Sequence, residues 1–366
     1  MKVAVIHDWL DKKYGAEEVL EQILTLYPSA DLFTLVDFLP NQQRKFLENR
    51  KITTSFLQKI PFAKKHFRKL LPLFPIAIEQ FDLRDYKLII SSSHAVAKGV
   101  IIHPYQTHIC YMNSQMRYVW DMQAQYLEQA KFSIIKNILS RKILHKMRIW
   151  EVSSSHRVDS FISNSQYSSL RLKKTLGRKS KVIYPPVDVE YFGQKTKEIK
   201  HKKEYYFTAS RLVGYKNVNI IVEAFNQMPD KKLYIAGDGE ERKSLSKIAN
   251  KNITFLGRLN KEELRIHYQN SKAFIYAAIE DFGIVMVESL ASGTPVIAYN
   301  RGGAAEIVTD NTGVLFNNLS ANDIIDSINN FENNSKNCTN KKCKNRAQDF
   351  SIELFKEKLL EHIKQH

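Results

Sequence analysis

Residues 280–306 read EDFGIVMVESLASGTPVIAYNRGGAAE, and the order of residue types in this stretch decides the fold. Two carboxylates, Glu280 and Glu288, bracket the turn Phe282-Gly283-Ile284 and the start of an apolar run over 285–290. The run predicts a helix opening just after Gly283. A helix start presents unpaired backbone N–H groups and the positive end of its dipole, a combination that suits a phosphate. Glu280 then sits in the loop before the helix, facing whatever the phosphate carries. Glu288 lies about one turn inside, where a carboxylate can accept hydrogen bonds from a pair of sugar hydroxyls. Gly293-Thr294-Pro295 turns the chain into a strand over 296–299, and Gly302-Gly303 opens the next turn. Two acids on an amphipathic helix are commonplace. The ordered succession of acid, turn, acid, small residues, strand and glycine pair is what carries meaning.

Outward from this block, apolar runs over 205–209, 233–236, 254–257 and 273–276 read as strands, with a helix over 218–227. The first half follows the same logic. Strands are predicted at 3–6, 31–36, 87–91, 99–102, 107–111, 160–163 and 181–184, with a helix over 16–26. Strands separated by helical segments argue parallel α/β sheets. Pro185-Pro186 can continue neither element and marks a boundary. The expectation is a first domain over 1–185, a second over 186–348, and a final helical segment over 349–366. Residues 333–344, rich in Asn and Lys, read as a surface loop. Two doubly wound sheets in tandem place a ligand in the cleft between them, beyond the carboxyl ends of their strands.

Several shorter patterns fall at those strand ends. Ser210-Arg211 and Lys216 straddle a strand–turn–helix junction, where Arg supplies a bidentate fork and Lys a point charge for one pyrophosphate. Gly237-Asp238-Gly239 and Gly257-Arg258 follow two further strands. Near the N-terminus, His7-Asp8-Trp9 precedes Gly15-Ala16, and Ser91–Gly99 includes His94, which either faces the cleft or is a satisfied structural histidine.

Taken in order, these blocks resemble the retaining GT-B glycosyltransferases of glycosyltransferase family 4, from residue 1 to the final helix. They are most similar to bacterial mannosyltransferases that build O-antigen or capsule oligosaccharides. The resemblance implies two Rossmann-like domains, a nucleotide-sugar donor and no catalytic metal or other cofactor. It assigns the donor diphosphate to Arg211 and Lys216, places Ser210 in the donor site, and gives the nucleobase to the Gly257-Arg258 turn. It gives Glu280 the transferred sugar, Glu288 the ribose, and Phe282, Gly283, Ile284 and Val285 the helix start. Gly15 faces donor phosphates and acceptor, with Asp8, Ala16, His94 and Asn113 on the acceptor side. Arg211, Lys216, Glu280 and Asn113 make up the expected catalytic set. The chain departs from the family at Ala16, often Gly, and at Met286, often Pro. It departs most at Asn113-Ser114-Gln115, where relatives usually read His-Thr-Pro. An amide can hold a sugar hydroxyl but cannot take up a proton.

Composition bounds the remaining choices. The 366 residues, 43% hydrophobic and 25% charged, suit a soluble globular chain of two domains. No apolar run nears the ~18–20 residues of a membrane span, and three cysteines make no disulfide framework. The formal net charge is +17, and residues 1–190 carry 29 Lys and Arg against 17 Asp and Glu. Two segments, 56–75 and 131–150, mix cations with apolar residues in the manner of helices that bind anionic membrane surfaces. With the resemblance, this leads to a cytoplasmic enzyme held at the inner face of the cell membrane. It would move a hexose from a GDP- or UDP-linked donor, mannose from GDP-mannose first, to a polyprenyl-diphosphate-linked glycan. The same fold allows a nucleotide-sugar epimerase. The charge allows a nucleic-acid binder, in which Arg211, Lys216, Glu280 and Glu288 have no role, so nucleic acid is not the expected partner.

Overall fold

The computed structural model describes residues 2–48, 50–130, 132–196 and 203–366. The chain divides into two compact units, Met1–Pro185 with Phe355–His366, and Pro186–Leu354. In the first unit, strands β1 (Val3–His7), β2 (Asp31–Thr34), β3 (Ile52–Thr54), β4 (Leu88–Ser93), β5 (Thr107–Met112), β6 (Ser160–Ser163) and β7 (Ser180–Val182) form one sheet. Its order is β3-β2-β1-β4-β5-β6-β7, and every pairing is parallel. The central strands are apolar on both faces because both faces are covered. Ala4, Ile6 and Ile89 join one hydrophobic cluster, while Val3, Val5, Ile90 and Ile109 join the other.

The second unit repeats the plan with β8 (Tyr205–Ala209), β9 (Lys232–Ala236), β10 (Ile253–Gly257), β11 (Ser271–Tyr276), β12 (Val296–Tyr299) and β13 (Gly313–Phe316). The order β10-β9-β8-β11-β12-β13 is again wholly parallel. In both sheets the chain winds outward from a central strand, then returns to its other side. The reversal falls between β1 and β4 in one unit and between β8 and β11 in the other, and the loops that leave such strands diverge and open a crevice. The final helix, Ile352–Lys364, places Phe355, Leu359 and Ile363 in the first unit's core at the four-residue spacing of one helical face. His362 Nε2 bonds Ser160 Oγ at 2.8 Å.

Three expectations are corrected. Residues 99–102 form no strand: the Asp8 carboxylate gathers the backbone N–H groups of residues 94–97 and turns the chain into a 3-10 turn, Ala97–Gly99. Residues 333–344 are largely helical. Helix Ala321–Asn334 buries Ile324, Ile328 and Phe331, and a second helix, Asn340–Ala347, starts at Thr339, whose hydroxyl accepts the Lys342 N–H at 3.3 Å. That second helix buries Cys343 and Ala347, so polar composition concealed an apolar stripe. The terminal helix begins at Ile352, after a 3-10 turn at Gln348–Phe350.

Candidate functional site

The second unit's cluster lies at the reversal of its strand order. After β8 the chain passes Ser210, whose N–H donates to Ala236 O at 3.2 Å, and exposed Arg211. It then makes a 3-10 turn, Gly214–Lys216, that ends at Asn217 in the left-handed conformation with φ +54°. Asn tolerates that conformation better than most residues. Its side chain fastens the loop to the end of β11, donating to Ala277 O at 2.9 Å.

Lys216 thereby reaches across the reversal. Its ammonium donates to the Tyr276 hydroxyl at 2.9 Å and to Glu280 Oε1, and the Tyr276 and Glu280 oxygens lie 3.4 Å apart. The lysine and glutamate side chains are 12% and 22% exposed, so the pair is largely shielded from solvent. Burial works against the lysine's charge, but neighbouring Tyr276 and Glu280 outweigh it and raise its pKa above the ordinary value. Burial likewise raises the Tyr276 phenol, which stays a neutral O–H at neutral pH.

The loop that carries Glu280 is shaped by its neighbours. Gly283, at φ +99°, caps helix Ile284–Ala291. A side chain on Gly302 would stand 2.2 Å from the Glu280 carbonyl oxygen, and one on Gly303 would stand 2.0 Å from that of Phe282. The Gly303 N–H donates to Glu280 O at 3.0 Å, so the glycine pair is a close-packed bed for the loop. Phe282 is buried edge-on to Phe350, with ring centroids 5.5 Å apart. Ile284 and Val285 open the helix half-buried, with first-turn N–H groups that have no intrahelical partner. Glu288, one turn on, accepts from the Tyr268 hydroxyl at 3.2 Å. Gly237 N–H donates to Gly257 O at 2.7 Å, which ties the ends of β9 and β10 together, and Arg258 is exposed beyond them.

The first unit has its own cluster where its strand order reverses. Asp8 is fully buried and accepts four backbone N–H groups at 2.6–2.9 Å, from His94 and Ala95 on Oδ2 and from Val96 and Ala97 on Oδ1. Burial alone would raise its pKa; the His94 ring at 3.2 Å and the N–H groups outweigh that and lower it. His94 packs edge-on to Trp9, with centroids 4.4 Å apart. Asn113, half-buried at the end of β5, donates from Nδ2 to Ser92 Oγ at 2.8 Å. Ser92 Oγ lies 3.3 Å from His7 Nδ1, and His7 Nε2 lies 3.4 Å from Glu17. Glu17 also accepts the Tyr14 N–H at 2.8 Å and so pins the turn that leads through Gly15 and Ala16 into helix Gly15–Leu26.

The structure thus joins Lys216 with Glu280, and Asp8 with His94. Arg211 stands on the same loop as Lys216, and its guanidinium bonds nothing among the described residues. Tyr276, Tyr268, Glu17 and Ser92 were missed by motif reading. Only the placement of Tyr276 and Ser92 at the carboxyl ends of central strands signalled them.

Residues 192–350 match the family model described as Glycosyl transferases group 1. Over 185 residues the chain is 33% identical to the GDP-mannose-dependent monoacylated alpha-(1-6)-phosphatidylinositol monomannoside mannosyltransferase of Corynebacterium glutamicum, covering 43% of this chain and 49% of that protein. The chain spans about half or less of the length of the first curated relatives it matches. Among solved structures, HepE of Anabaena in complex with UDP and glucose aligns with a TM-score of 0.72 at 19% identity over 100% of both chains. Sucrose-phosphate synthase of Thermosynechococcus elongatus aligns with 0.75 at 18% identity, over 100% of this chain and 99% of that one. The chain therefore has the GT-B fold and carries a Glycosyl transferases group 1 domain over residues 192–350, consistent with a GT-B glycosyltransferase of the family 4 type.

Proposed function

We propose that this protein is a retaining, metal-independent glycosyltransferase that moves mannose from GDP-mannose to a lipid-linked glycan. The observation that carries the reading is the joining of Lys216, Tyr276 and Glu280 where the second sheet reverses, beside a helix start capped by Gly283. A nucleoside diphosphate set against that helix start would meet Lys216 and Arg211, whose charges offset the charge that builds on the departing diphosphate. Glu280 would orient the transferred sugar and Glu288 the ribose. Ser210 and the Gly257–Arg258 turn border the same strand ends, where the base would rest. On the acceptor side, Asp8 fixes the loop that bears His94, and Asn113 would hold a sugar hydroxyl without moving a proton. With no enzymic nucleophile among these groups, retention follows from attack on the face the diphosphate leaves, the leaving phosphate taking the acceptor's proton.

GDP-mannose as donor is supported by the Corynebacterium relative, whose name specifies it. UDP-glucose is the competing donor, because HepE was solved with it. Incubation of each donor with polyprenyl-diphosphate glycans, followed by mass spectrometry and anomeric assignment, decides between them. Mannose transfer with an α-linkage is expected. An isomerised nucleotide sugar without acceptor would reassign the chain as an epimerase. Calorimetry with bare GDP checks the carboxylates: Glu288→Ala should weaken binding about 10-fold or more, the loss of bonds to a charged acceptor, while Glu280→Ala leaves it within about 3-fold.

A further inference from the structure

Of the two basic segments, 56–75 and 131–150, only the second turns its apolar residues outward. In the first, Leu57, Phe67 and Phe74 are buried in the core, Ile60, Leu70 and Leu71 pack against it, and Phe62 alone projects strongly, at 83% exposure. In the second, helix Ile134–Ser155 buries Leu144, Met147 and Glu151 on one face. Its opposite face holds Ile135, Ile138, Leu139 and Ile149, which are 78%, 53%, 57% and 58% exposed. These positions follow the spacing of a single helical stripe, the place where a surface helix ordinarily carries polar side chains. Exposed Lys142 and Lys146 lie within that stripe, and exposed Arg141 lies on its flank. The helix has one acid, Glu151, and it is buried 2.8 Å from Lys98. Lys131, which begins the sequence segment, lies outside the described residues.

We infer that this stripe docks the first unit on an anionic lipid bilayer, with the isoleucine and leucine side chains in the acyl boundary and the cations among the head groups. Charge complementarity selects this occupant. Cations unrelieved by any exposed acid on the helix repel a second copy of the same face, whereas anionic head groups attract them. No helix among the described residues is long and apolar enough to cross a membrane, so the contact lies in the interface. The inference deepens the proposed function, since a lipid-linked acceptor is presented at such a surface, but it stands on separate residues.

The full chain is sedimented with vesicles of phosphatidylcholine alone or mixed with phosphatidylglycerol, at low and high salt. Binding is expected only to the mixed vesicles, weakening as salt screens the cations. The variant Ile135→Ser/Ile138→Ser/Leu139→Ser should bind at least about 10-fold more weakly at every salt concentration, because it removes buried apolar area. The variant Arg141→Gln/Lys142→Gln/Lys146→Gln should lose most of the salt dependence. All six side chains point to solvent, and circular dichroism melting checks that both variants fold. The inference is overturned if the parent ignores anionic vesicles, if the variants bind as the parent does, or if sedimentation velocity shows a dimer that the serine variant dissolves. Stabilisation by GDP, read by thermal shift on the same samples, reports the donor site independently, so failure of docking and failure of the proposed activity are distinguishable.

Discussion

The Tyr276 hydroxyl takes a hydrogen bond from Lys216 and stands 3.4 Å from Glu280, in a position where water would otherwise solvate both charges. Burial keeps this phenol protonated, so it behaves as a fixed dipole rather than a third charge. Preorganised dipoles of this kind need no rearrangement when charge develops on a leaving group. Tyr276→Phe removes the dipole while keeping the ring and its stacking on Phe274, whose centroid is 5.9 Å away. The loss of one net hydrogen bond, about 0.5–1.5 kcal/mol, predicts a fall in kcat/KM of up to roughly 13-fold with a melting temperature lowered by only a few degrees. Lys216→Ala, which also removes a charge aimed at the diphosphate, should lose at least about 10-fold. Steady-state kinetics on both variants test the ranking, and a Phe variant as active as the parent would show that the phenol merely fills space.

Loops rather than strands set the chemistry at the scale of elements, and each loop is held by an identifiable group. The loop after β4 is wound around Asp8, one carboxylate serving four N–H donors that would otherwise be buried unpaired. Asp8→Asn keeps the shape but turns one acceptor into a donor facing donors. The expected destabilisation is about 3 kcal/mol, within the range for losing bonds to a charged group and leaving donors unpaired. Because the folded pKa is below the ordinary 3.8, this contribution is present above that value and is lost as pH falls through the folded pKa. Urea unfolding at pH 7 should therefore separate parent and variant widely, and the gap should narrow on acidification below about 3.8. A gap that is constant with pH would exclude the carboxylate as its cause.

For the molecule as a whole, the residues proposed for the donor fall within Pro186–Leu354 except Gly15, and those proposed for the acceptor fall within the first unit. This separation predicts a pattern of hydrogen exchange. Saturating GDP should slow exchange in the loops over 210–217 and 280–288, while the loop over 94–99 responds only when acceptor is added. Uniform slowing across both units by GDP alone would mean that the nucleotide contacts groups in each. The charge is distributed in the same sense: the excess of cations in residues 1–190 puts the positive field on the unit that also bears the outward apolar helix.

Strand periodicity, the Pro185-Pro186 break and the glycine-punctuated block over 280–306 were enough to specify two parallel α/β units and to place Glu280 before a helix start with Glu288 inside it. Those features are local, because a strand's apolar run, a proline's missing donor and a glycine's positive φ are properties of the residue and its neighbours. The joining of Lys216 to Tyr276 and Glu280 spans 60 and 64 residues of sequence and exists only because β8 and β11 are adjacent in the sheet. The same is true of Asp8 and the loop some ninety residues later, which leads into the residues over 99–102 that the sequence alone read as a strand. Helix Asn340–Ala347 was hidden because its few apolar residues gain their meaning from a surface supplied by distant elements. The outward stripe of helix Ile134–Ser155 was equally undecidable from pattern. An amphipathic repeat fixes which side chains share a face, but only the packing of the rest of the chain fixes which face is buried.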